Sequence, residues 1–318
     1  MMRGDATALL ILIFSLPICS SVFLTWFVLC RAARRFGFLV GSNRTWVERK
    51  WIIAPSASIL GVYAISISYG YFIERQWIEV TKTEIGVNEA VLGYDRFRII
   101  HLSDLHFRAF GRRESRLLEL IHEVKPHLIL ITGDFADCEE GESTLVRVLR
   151  AVKVPPFGIF GVEGNNDNDQ KTTALLRAAG LDVLQDDVRL IEKEGKSLCL
   201  VGQTFSSKIP LMTLLHNQKR SATTIFMHHT PDALDQLSDL EADEHVDLFL
   251  CGHTHGGQVC LPFWGAVITE SKYHKRYERG LYDVKGVPMY VNRGIGTTRV
   301  PIRFLARPEV AVIDLVHR

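Results

Sequence analysis

The chain begins with two long stretches of uncharged, mostly apolar residues. Residues 6–30 form a run of 25 positions without a charge, and residues 51–73 form another run of 23. As helices rising about 1.5 Å per residue, these runs would measure about 37 and 35 Å, against a bilayer hydrocarbon core of about 30 Å. The pattern therefore predicts two transmembrane helices, at about 6–30 and 51–73, within a membrane anchor that spans 1–85.

From about Arg96 the pattern changes to short apolar runs that alternate at first with amphipathic segments of helical length. Helices are predicted over 115–124 and 142–151. Strands are predicted over 97–102, 127–131, 157–162, 198–202, 224–228, 246–251, 289–292 and 310–316. Helices intervene early and hairpin-like spacings dominate late, which favours a layered α/β domain with a mixed β-sheet, here assigned to 86–318.

The net charge hides an uneven distribution. The 37 basic and 36 acidic side chains leave +1 overall, but residues 31–50, between the two apolar runs, carry +5, and residues 86–318 carry −3. Because short loops rich in Lys and Arg stay in the cytoplasm, the domain at 86–318 is expected on the extracytoplasmic side of a membrane. A domain without a basic surface field is not expected to bind nucleic acid.

Side chains that can bind metal ions follow five of the predicted strands, in loops rich in glycine. They are Asp104, His106, Asp134, Asn165, His229, His253 and His255. Because the carboxyl ends of strands converge at one edge of an α/β sheet, we expect these side chains to lie together. Nitrogen and oxygen donors of this kind suit Mn, Fe or Zn, and seven of them exceed one tetrahedral site. With one shared carboxylate they suffice for two divalent metal ions.

The order of these residues resembles that of the calcineurin-like metallophosphoesterases. The matching motifs are Asp104-x-His106, Gly133-Asp134, Gly164-Asn165-x-Asp167, His229-x-Pro231 and Gly252-His253-x-His255. Similarity continues through Gly256-Gly257-Gln258, residues 290–296, Pro301-Ile302-Arg303 and residues 307–309, a tail that looks like the membrane-anchored or exported branch of the family. The resemblance implies an α/β/β/α sandwich and a phosphoesterase that uses two metal ions.

The resemblance also implies a role for each candidate ligand. The first metal would be held by Asp104, His106, Asp134 and His255. The second would be held by Asn165, His229, His253 and the bridging Asp134. A hydroxide that bridges the two metals would then attack phosphorus directly. His228, next to a proposed ligand, is interpreted either as a histidine that supports the site or packs in the core, or as a substitute acid.

One position departs from the commonest family pattern. The chain reads Gly164-Asn165-Asn166-Asp167, where most members carry His in place of Asn166. That histidine stabilises the pentacoordinate phosphate or protonates the leaving oxygen, whereas an amide donates a hydrogen bond but no useful proton. We therefore expect a substrate with a good leaving group, or another acid such as His228. Asn166, Asp167 and His228 are the candidate catalytic residues.

These observations predict a membrane-anchored phosphoesterase that cleaves a phosphodiester or pyrophosphate bond. Membrane lipids and a phosphate-containing, lipid-linked substrate are the expected partners. UDP-2,3-diacylglucosamine is one example, because family members that act on it also replace the usual histidine, though with Arg. Two alternatives stay open: a membrane-tethered phosphomonoesterase, and a catalytically impaired metal-binding scaffold of the same fold, which only the presence of Asn166 supports.

Overall fold

The computed structural model describes residues 58, 61–88, 90–167, 170–216, 222–238, 240 and 245–317. Contacts divide the chain into two compact units, residues 1–69 and 70–318. In the first unit, residue 58 and residues 61–69 are helical. The second unit contains the strands and the site discussed below.

The first sheet of the second unit has six strands, of which four parallel strands joined by helices form one side. Its strands are β1 (Glu79–Val87), β2 (Arg96–Leu102), β3 (Leu128–Thr132), β4 (Ile159–Val162), β5 (Asp182–Leu184) and β14 (Glu309–His317), in the order β1-β14-β2-β3-β4-β5. Helices α1 (Arg112–Val124), α2 (Glu139–Ala151) and α3 (Gln170–Ala178) connect β2 to β5. Only the pairing of β14 with β2 is antiparallel in this sheet.

The second sheet also has six strands, and a hairpin closes it at each edge. Its strands are β6 (Asp187–Lys193), β7 (Lys196–Gly202), β8 (Thr223–Met227), β9 (Leu248–Cys251), β12 (Gly280–Val284) and β13 (Val287–Val291), in the order β12-β13-β9-β8-β7-β6. A short helix, α4 (Leu211–Leu215), precedes β8, and a small ribbon of β10 (Cys260–Leu261) and β11 (Gly265–Ala266) follows β9.

The side chains of neighbouring residues divide these elements into four layers. Ile99 of β2 packs in a core shared with Leu200 and Ile225 of the second sheet. Its neighbour Ile100 points to the other face and packs in a core with Leu117 of α1, as the two-residue period of a strand requires. The far face of the second sheet packs against α4 and a 3-10 helix at Pro231–Ser238. The predicted layered α/β domain with mixed sheets is therefore confirmed.

The strands that the sequence pattern did not predict include the edges of both large sheets. These edge strands are β1, β5, β6 and β12. In β6 every residue is at least partly exposed, and in β1 the first six positions are. Edge strands often carry polar and charged residues, which protect them from pairing with other chains but also dilute the apolar signal. The sheet accordingly begins at Glu79, before the predicted boundary at residue 86.

The prediction of an integral membrane protein with two transmembrane helices is contradicted by the structure. Among the described residues, no helix has both the length and the apolar composition needed to cross a bilayer. The first predicted span, 6–30, lies outside the described residues, and only residues 58 and 61–73 of the second are described. The extracytoplasmic placement of the domain and its membrane-lipid partner depended on these spans, and neither is carried forward.

Candidate metal centre

The loops after β2, β3, β8 and β9 bring six of the seven predicted ligands into one buried cluster. Its members, each exposing at most 9% of its surface, are Asp104, His106, Asp134, His229, His253 and His255. Asn165, the seventh, lies on the turn after β4 and is exposed. The expectation that the carboxyl ends of these strands would collect the polar side chains is thus confirmed for the buried six.

Asp134 lies between the ligands predicted for the first metal and those predicted for the second. One of its oxygens, Oδ2, is 3.3 Å from Nε2 of His106 and 3.6 Å from Nε2 of His229. Within the described part of the chain, two groups of side chains have ligand atoms within 4.8 Å of one another. These groups are Asp104, His106 and His255, and Asp104, Asp134 and His229.

Backbone carbonyls fix the tautomers of two of the histidines. Nδ1 of His229 lies 2.7 Å from the carbonyl oxygen of Thr132, and Nε2 of His253 lies 3.1 Å from that of Glu270. A carbonyl can only accept, so these nitrogens carry the protons and the neutral rings present lone pairs at Nε2 of His229 and Nδ1 of His253. The latter two atoms are 2.9 Å apart. Two lone pairs at this distance are stabilised by a cation or a proton between them.

Three further atoms of the cluster are buried without a hydrogen-bond partner among the described residues: Oδ1 of Asp104, Nε2 of His106 and Nδ1 of His255. The other nitrogen of His106, Nδ1, lies 2.6 Å from Oδ1 of Asp137. A carboxylate that holds the remote nitrogen of a histidine orients its free nitrogen towards a metal ion. Because buried polar atoms rarely lack partners, this donor set fits divalent cations.

Five of the proposed ligands have a backbone conformation that is uncommon for residues with a side chain. The φ angles are +46° for Asp104, +39° for His106, +54° for Asp134, +69° for His253 and +53° for His255. Each such residue costs roughly 1–3 kcal/mol and persists only when its surroundings enforce it. Here the loops hold one another, since the backbone N–H of Asp104 donates to Gly133 and that of His106 donates to Asp134. Strain of this kind concentrates at functional sites.

Glycine allows these loops to approach so closely. A Cβ atom on Gly133 would lie 2.7 Å from Nδ1 of His229, and one on Gly294 would lie 2.7 Å from Cβ of Asp104. Both glycines also have positive φ angles, of +79° and +73°. A side chain at either position would therefore displace a proposed ligand.

The charges within the cluster depend strongly on one another. Burial raises the pKa of Asp134, but His229 and His106 outweigh it, so the pKa lies below its ordinary value. Burial likewise opposes protonation of His106, but Asp134 and then Asp137 raise its pKa to about 10. Burial, followed by the charges of His106 and Arg303, lowers the pKa of His255 well below its ordinary value. A bound cation would replace the proton on His106, because metal ligands must be deprotonated.

The three candidate catalytic residues have different surroundings. Asn166 is exposed, and it donates to both oxygens of Asp134, from its backbone N at 3.0 Å and from Nδ2 at 2.6 Å. Asp167 is buried and accepts hydrogen bonds from three backbone N–H groups, those of Asp134, Phe135 and Gly164. Burial and then the charge of Asp134 raise the pKa of Asp167 to about 6. These contacts tie the turn after β4 to the loop after β3.

His228, the third candidate, lies in a different environment. It is buried, and its Nδ1 contacts the backbone N and O of Thr230 at 3.1 and 3.2 Å. Its ring lies 6.2 Å from that of Phe226 and 6.4 Å from that of Phe205. Burial and then His229 lower the pKa of His228 to about 3. The catalytic roles of Asn166, Asp167 and His228 stay predictions, which the contacts alone do not test.

The sequence pattern missed three side chains that contact the cluster. Asp137 orients His106 and accepts a hydrogen bond from Nε of Arg108 at 2.8 Å. Phe205, in the loop after β7, has its ring 5.6 Å from that of His253 and 5.9 Å from that of His229. Arg303 contacts the carbonyl oxygen of His255. Asp137 had a usable signal, because it follows Asp134 in the same loop, and Arg303 lies in the segment Pro301-Ile302-Arg303, which resembles the family but indicated no role.

Comparisons with known proteins agree with this geometry. A family model described as calcineurin-like phosphoesterase matches residues 97–257. The uncharacterized metallophosphoesterase YkuE of Bacillus subtilis is 34% identical over 271 residues, which cover 78% of this chain and 89% of YkuE. Phosphodiesterase YaeI of Escherichia coli is 29% identical over 295 residues, which cover 85% of this chain and 99% of YaeI. These names specify neither a membrane-anchored branch nor UDP-2,3-diacylglucosamine, so those finer resemblances are not supported.

Similarity to solved structures is weaker. The crystal structure of phosphopantetheinyl hydrolase from Mycobacterium tuberculosis matches with a TM-score of 0.39 and 10% sequence identity. The match covers 62% of this chain and 89% of that protein.

Proposed function

The chain belongs to the calcineurin-like phosphoesterase family of hydrolases, and from this premise we propose that it cleaves a phosphodiester or phosphoanhydride bond with two divalent cations. The observation that carries the proposal is the convergence of buried donor atoms without partners. Nε2 of His229 faces Nδ1 of His253 at 2.9 Å, and Oδ1 of Asp104 and Nε2 of His106 are buried without hydrogen bonds among the described residues. Such an arrangement is stable when cations occupy it.

The proposed ligands of the first cation are Asp104, His106, Asp134 and His255. Those of the second are Asp134, Asn165, His229 and His253. Asp134 is shared because one of its oxygens approaches a histidine from each set. Cations bound there would activate water near neutral pH and neutralise charge on the phosphoryl group. Mn, Fe and Zn all suit the mixed nitrogen and oxygen donors.

The amide of Asn166 indicates which class of bond is cleaved. Its amide donates to Asp134, and in the proposed complex it would donate to a phosphoryl oxygen. An amide supplies no proton to a leaving group, so alkoxide leaving groups receive no acid catalysis from this position. Substrates whose leaving group is already a weak base, namely activated diesters and anhydrides, are therefore favoured. We assign positioning roles to Asp167, which ties two loops together, and to His228, which contacts Thr230 beside a ligand.

The test is a substrate panel measured on the intact chain with Mn²⁺ supplied. The panel contains an aryl phosphodiester, a pyrophosphate-linked nucleotide and an alkyl phosphomonoester. We expect two metal ions per chain and faster turnover of the first two substrates. Preference for the alkyl monoester would overturn the leaving-group argument. Two bound ions without any hydrolysis would instead indicate the metal-binding scaffold, the second candidate, in which the amide of Asn166 only holds Asp134.

A further inference from the structure

Arg303 is the largest of the fully buried side chains in the described part of the protein, with 0% of its surface exposed. Its guanidinium group makes no contact with a carboxylate among the described residues. It donates instead to five backbone carbonyl oxygens: those of Gly296 (2.9 Å from Nε and 2.6 Å from Nη2), Ala306 (2.9 Å), His255 (3.4 Å), Arg293 (2.9 Å) and Gly294 (3.1 Å). A buried guanidinium group bound only to neutral acceptors is expensive, because no carboxylate in direct contact offsets its desolvation.

Four of the five carbonyls that Arg303 contacts belong to two segments that carry or contact proposed metal ligands. One is His255 itself. The other is the loop 293–296, whose Gly296 donates its backbone N–H to the carbonyl oxygen of Asp104 at 2.7 Å. Ile295 in the same loop donates to the carbonyl oxygens of Ser103 and Asp104 at 3.1 and 3.2 Å. Arg303 therefore connects the backbone of His255 with the loop that holds Asp104.

These two ligands need such support. Asp104 and His255 both have positive φ angles, and Nε2 of His255 lies 3.4 Å from Oδ1 of Asp104. The planar fork of arginine presents five N–H groups in fixed directions, so it can hold both segments at one spacing. A lysine ammonium group has three donors on a flexible stem and cannot reproduce that pattern. The charge of Arg303 does not account for its position beside the metal centre, since a fixed positive charge there opposes the binding of cations.

We propose that Arg303 is a positioning residue that sets the spacing of Asp104 and His255 and thereby the affinity of the first cation. This inference rests on the proposed two-cation function. It assigns a role to a residue that the sequence analysis named only within the Pro301-Ile302-Arg303 segment. Arg303 touches neither substrate nor cation in this role.

The test measures metal binding rather than turnover. Arg303→Lys and Arg303→Gln retain polar donors but lose the fork, and Mn²⁺ binding to each intact chain is followed by calorimetry. We expect the affinity of one Mn²⁺ site to fall about 10–100-fold, as when an outer partner of a ligand is lost, while the other site keeps its affinity. Circular dichroism and thermal unfolding show whether each variant is folded.

The matched control is Arg98→Gln in β2. Arg98 forms hydrogen bonds with Asp314 at 2.8 and 3.0 Å, so its loss is expected to lower the unfolding midpoint without changing Mn²⁺ affinity. Wild-type affinity in folded Arg303 variants would overturn the proposal. Equal loss of affinity in the control, or failure of both Arg303 variants to fold, would also overturn it and assign the residue to stability alone. A wild-type chain that binds Mn²⁺ without hydrolysing any ester would contradict the proposed function only.

Discussion

Two buried aspartates, Asp134 at the metal centre and Asp314 in the middle of β14, have the same residue type and opposite surroundings. They expose 3% and 8% of their surfaces. Burial is the largest influence on both and raises the pKa, yet the net pKa of each lies below its ordinary value of 3.8. For Asp134 the opposing influence is that of histidines, His229 first, and for Asp314 it is hydrogen bonding to Arg98 and Arg96.

The partners of Asp314 are permanent cations. Asp314 lies opposite Arg98 on the neighbouring strand β2 and accepts from its Nε and Nη2 at 2.8 and 3.0 Å. Arg96 donates a third hydrogen bond at 2.8 Å. In the described chain, Asp134 contacts no lysine or arginine, and its hydrogen bonds come from Asn166. The carboxylate of Asp314 is neutralised by arginines of the fold itself. That of Asp134 depends on imidazoles that can exchange a proton for a metal ion.

The replacement Asp134→Asn removes one of the two carboxylates compared here and has the largest expected effect. The amide removes the charge that would bridge two cations, so we expect activity to fall by more than about 100-fold, beyond the effect of losing an outer partner. Mn²⁺ should also cease to raise the thermal unfolding midpoint, because stabilisation by a ligand requires binding to the folded chain. Scanning calorimetry with and without Mn²⁺ measures this, and Asp314→Asn is the control. Retention of the Mn²⁺-induced shift would contradict the assignment of Asp134.

The replacement Asp137→Asn tests whether the histidines owe their orientation to partners further from the metal. Asp137 holds Nδ1 of His106 at 2.6 Å, and its carboxylate fixes the tautomer that presents Nε2 to Asp134. We expect Mn²⁺ affinity to fall about 10–100-fold with little change in the unfolding midpoint of the metal-free chain. Calorimetric titration measures the affinity, and Arg108→Gln, which removes the donor on the other oxygen of Asp137, is the control. Equal effects of both changes would show that the salt bridge, and not the orientation of His106, is responsible.

The replacement Asn166→Ala sharpens the comparison, because Asn166 donates hydrogen bonds to Asp134 as Arg98 does to Asp314. A neutral amide holds a carboxylate without cancelling its charge, so its loss removes one hydrogen bond to a charged group, or roughly 1.5–3 kcal/mol. We expect a loss of about 10–100-fold in turnover of an aryl phosphodiester, with a smaller fall in Mn²⁺ affinity because the backbone N–H of residue 166 still donates to Asp134. Asn166→His is the matched variant, and it should raise hydrolysis of an alkyl monoester by restoring an acid. No gain on the monoester would show that this position does not decide the leaving group.

The two regions also differ in how far the sequence predicted them. Asp134 was predicted because glycines and metal-binding side chains recur together at the ends of apolar strands. A single sequence is enough to show that pattern. The carbonyl contacts of Thr132 and Glu270, which fix the tautomers of His229 and His253, leave no trace in residue identity because every residue has a carbonyl. Arg303 was named only within a segment similar to the family and received no role, since an arginine is expected on the surface. The edge strand β1, which pairs with β14, was not predicted because polar residues interrupt its apolar pattern.

Asp314→Asn has the smallest expected effect and tests stability where Asp134 tests binding. Because the folded pKa of Asp314 lies below 3.8, its charge stabilises the folded chain above that pH, and the contribution is lost as the pH falls through the lower folded value. The pair is partly solvated, so we expect Asp314→Asn to lower the free energy of unfolding by about 1 kcal/mol near pH 7. Near pH 2 the difference from wild type should shrink towards zero. Urea unfolding of the metal-free proteins at both pH values measures this, and an equal deficit at both would mean that packing, rather than the ion pair with Arg98, accounts for the loss.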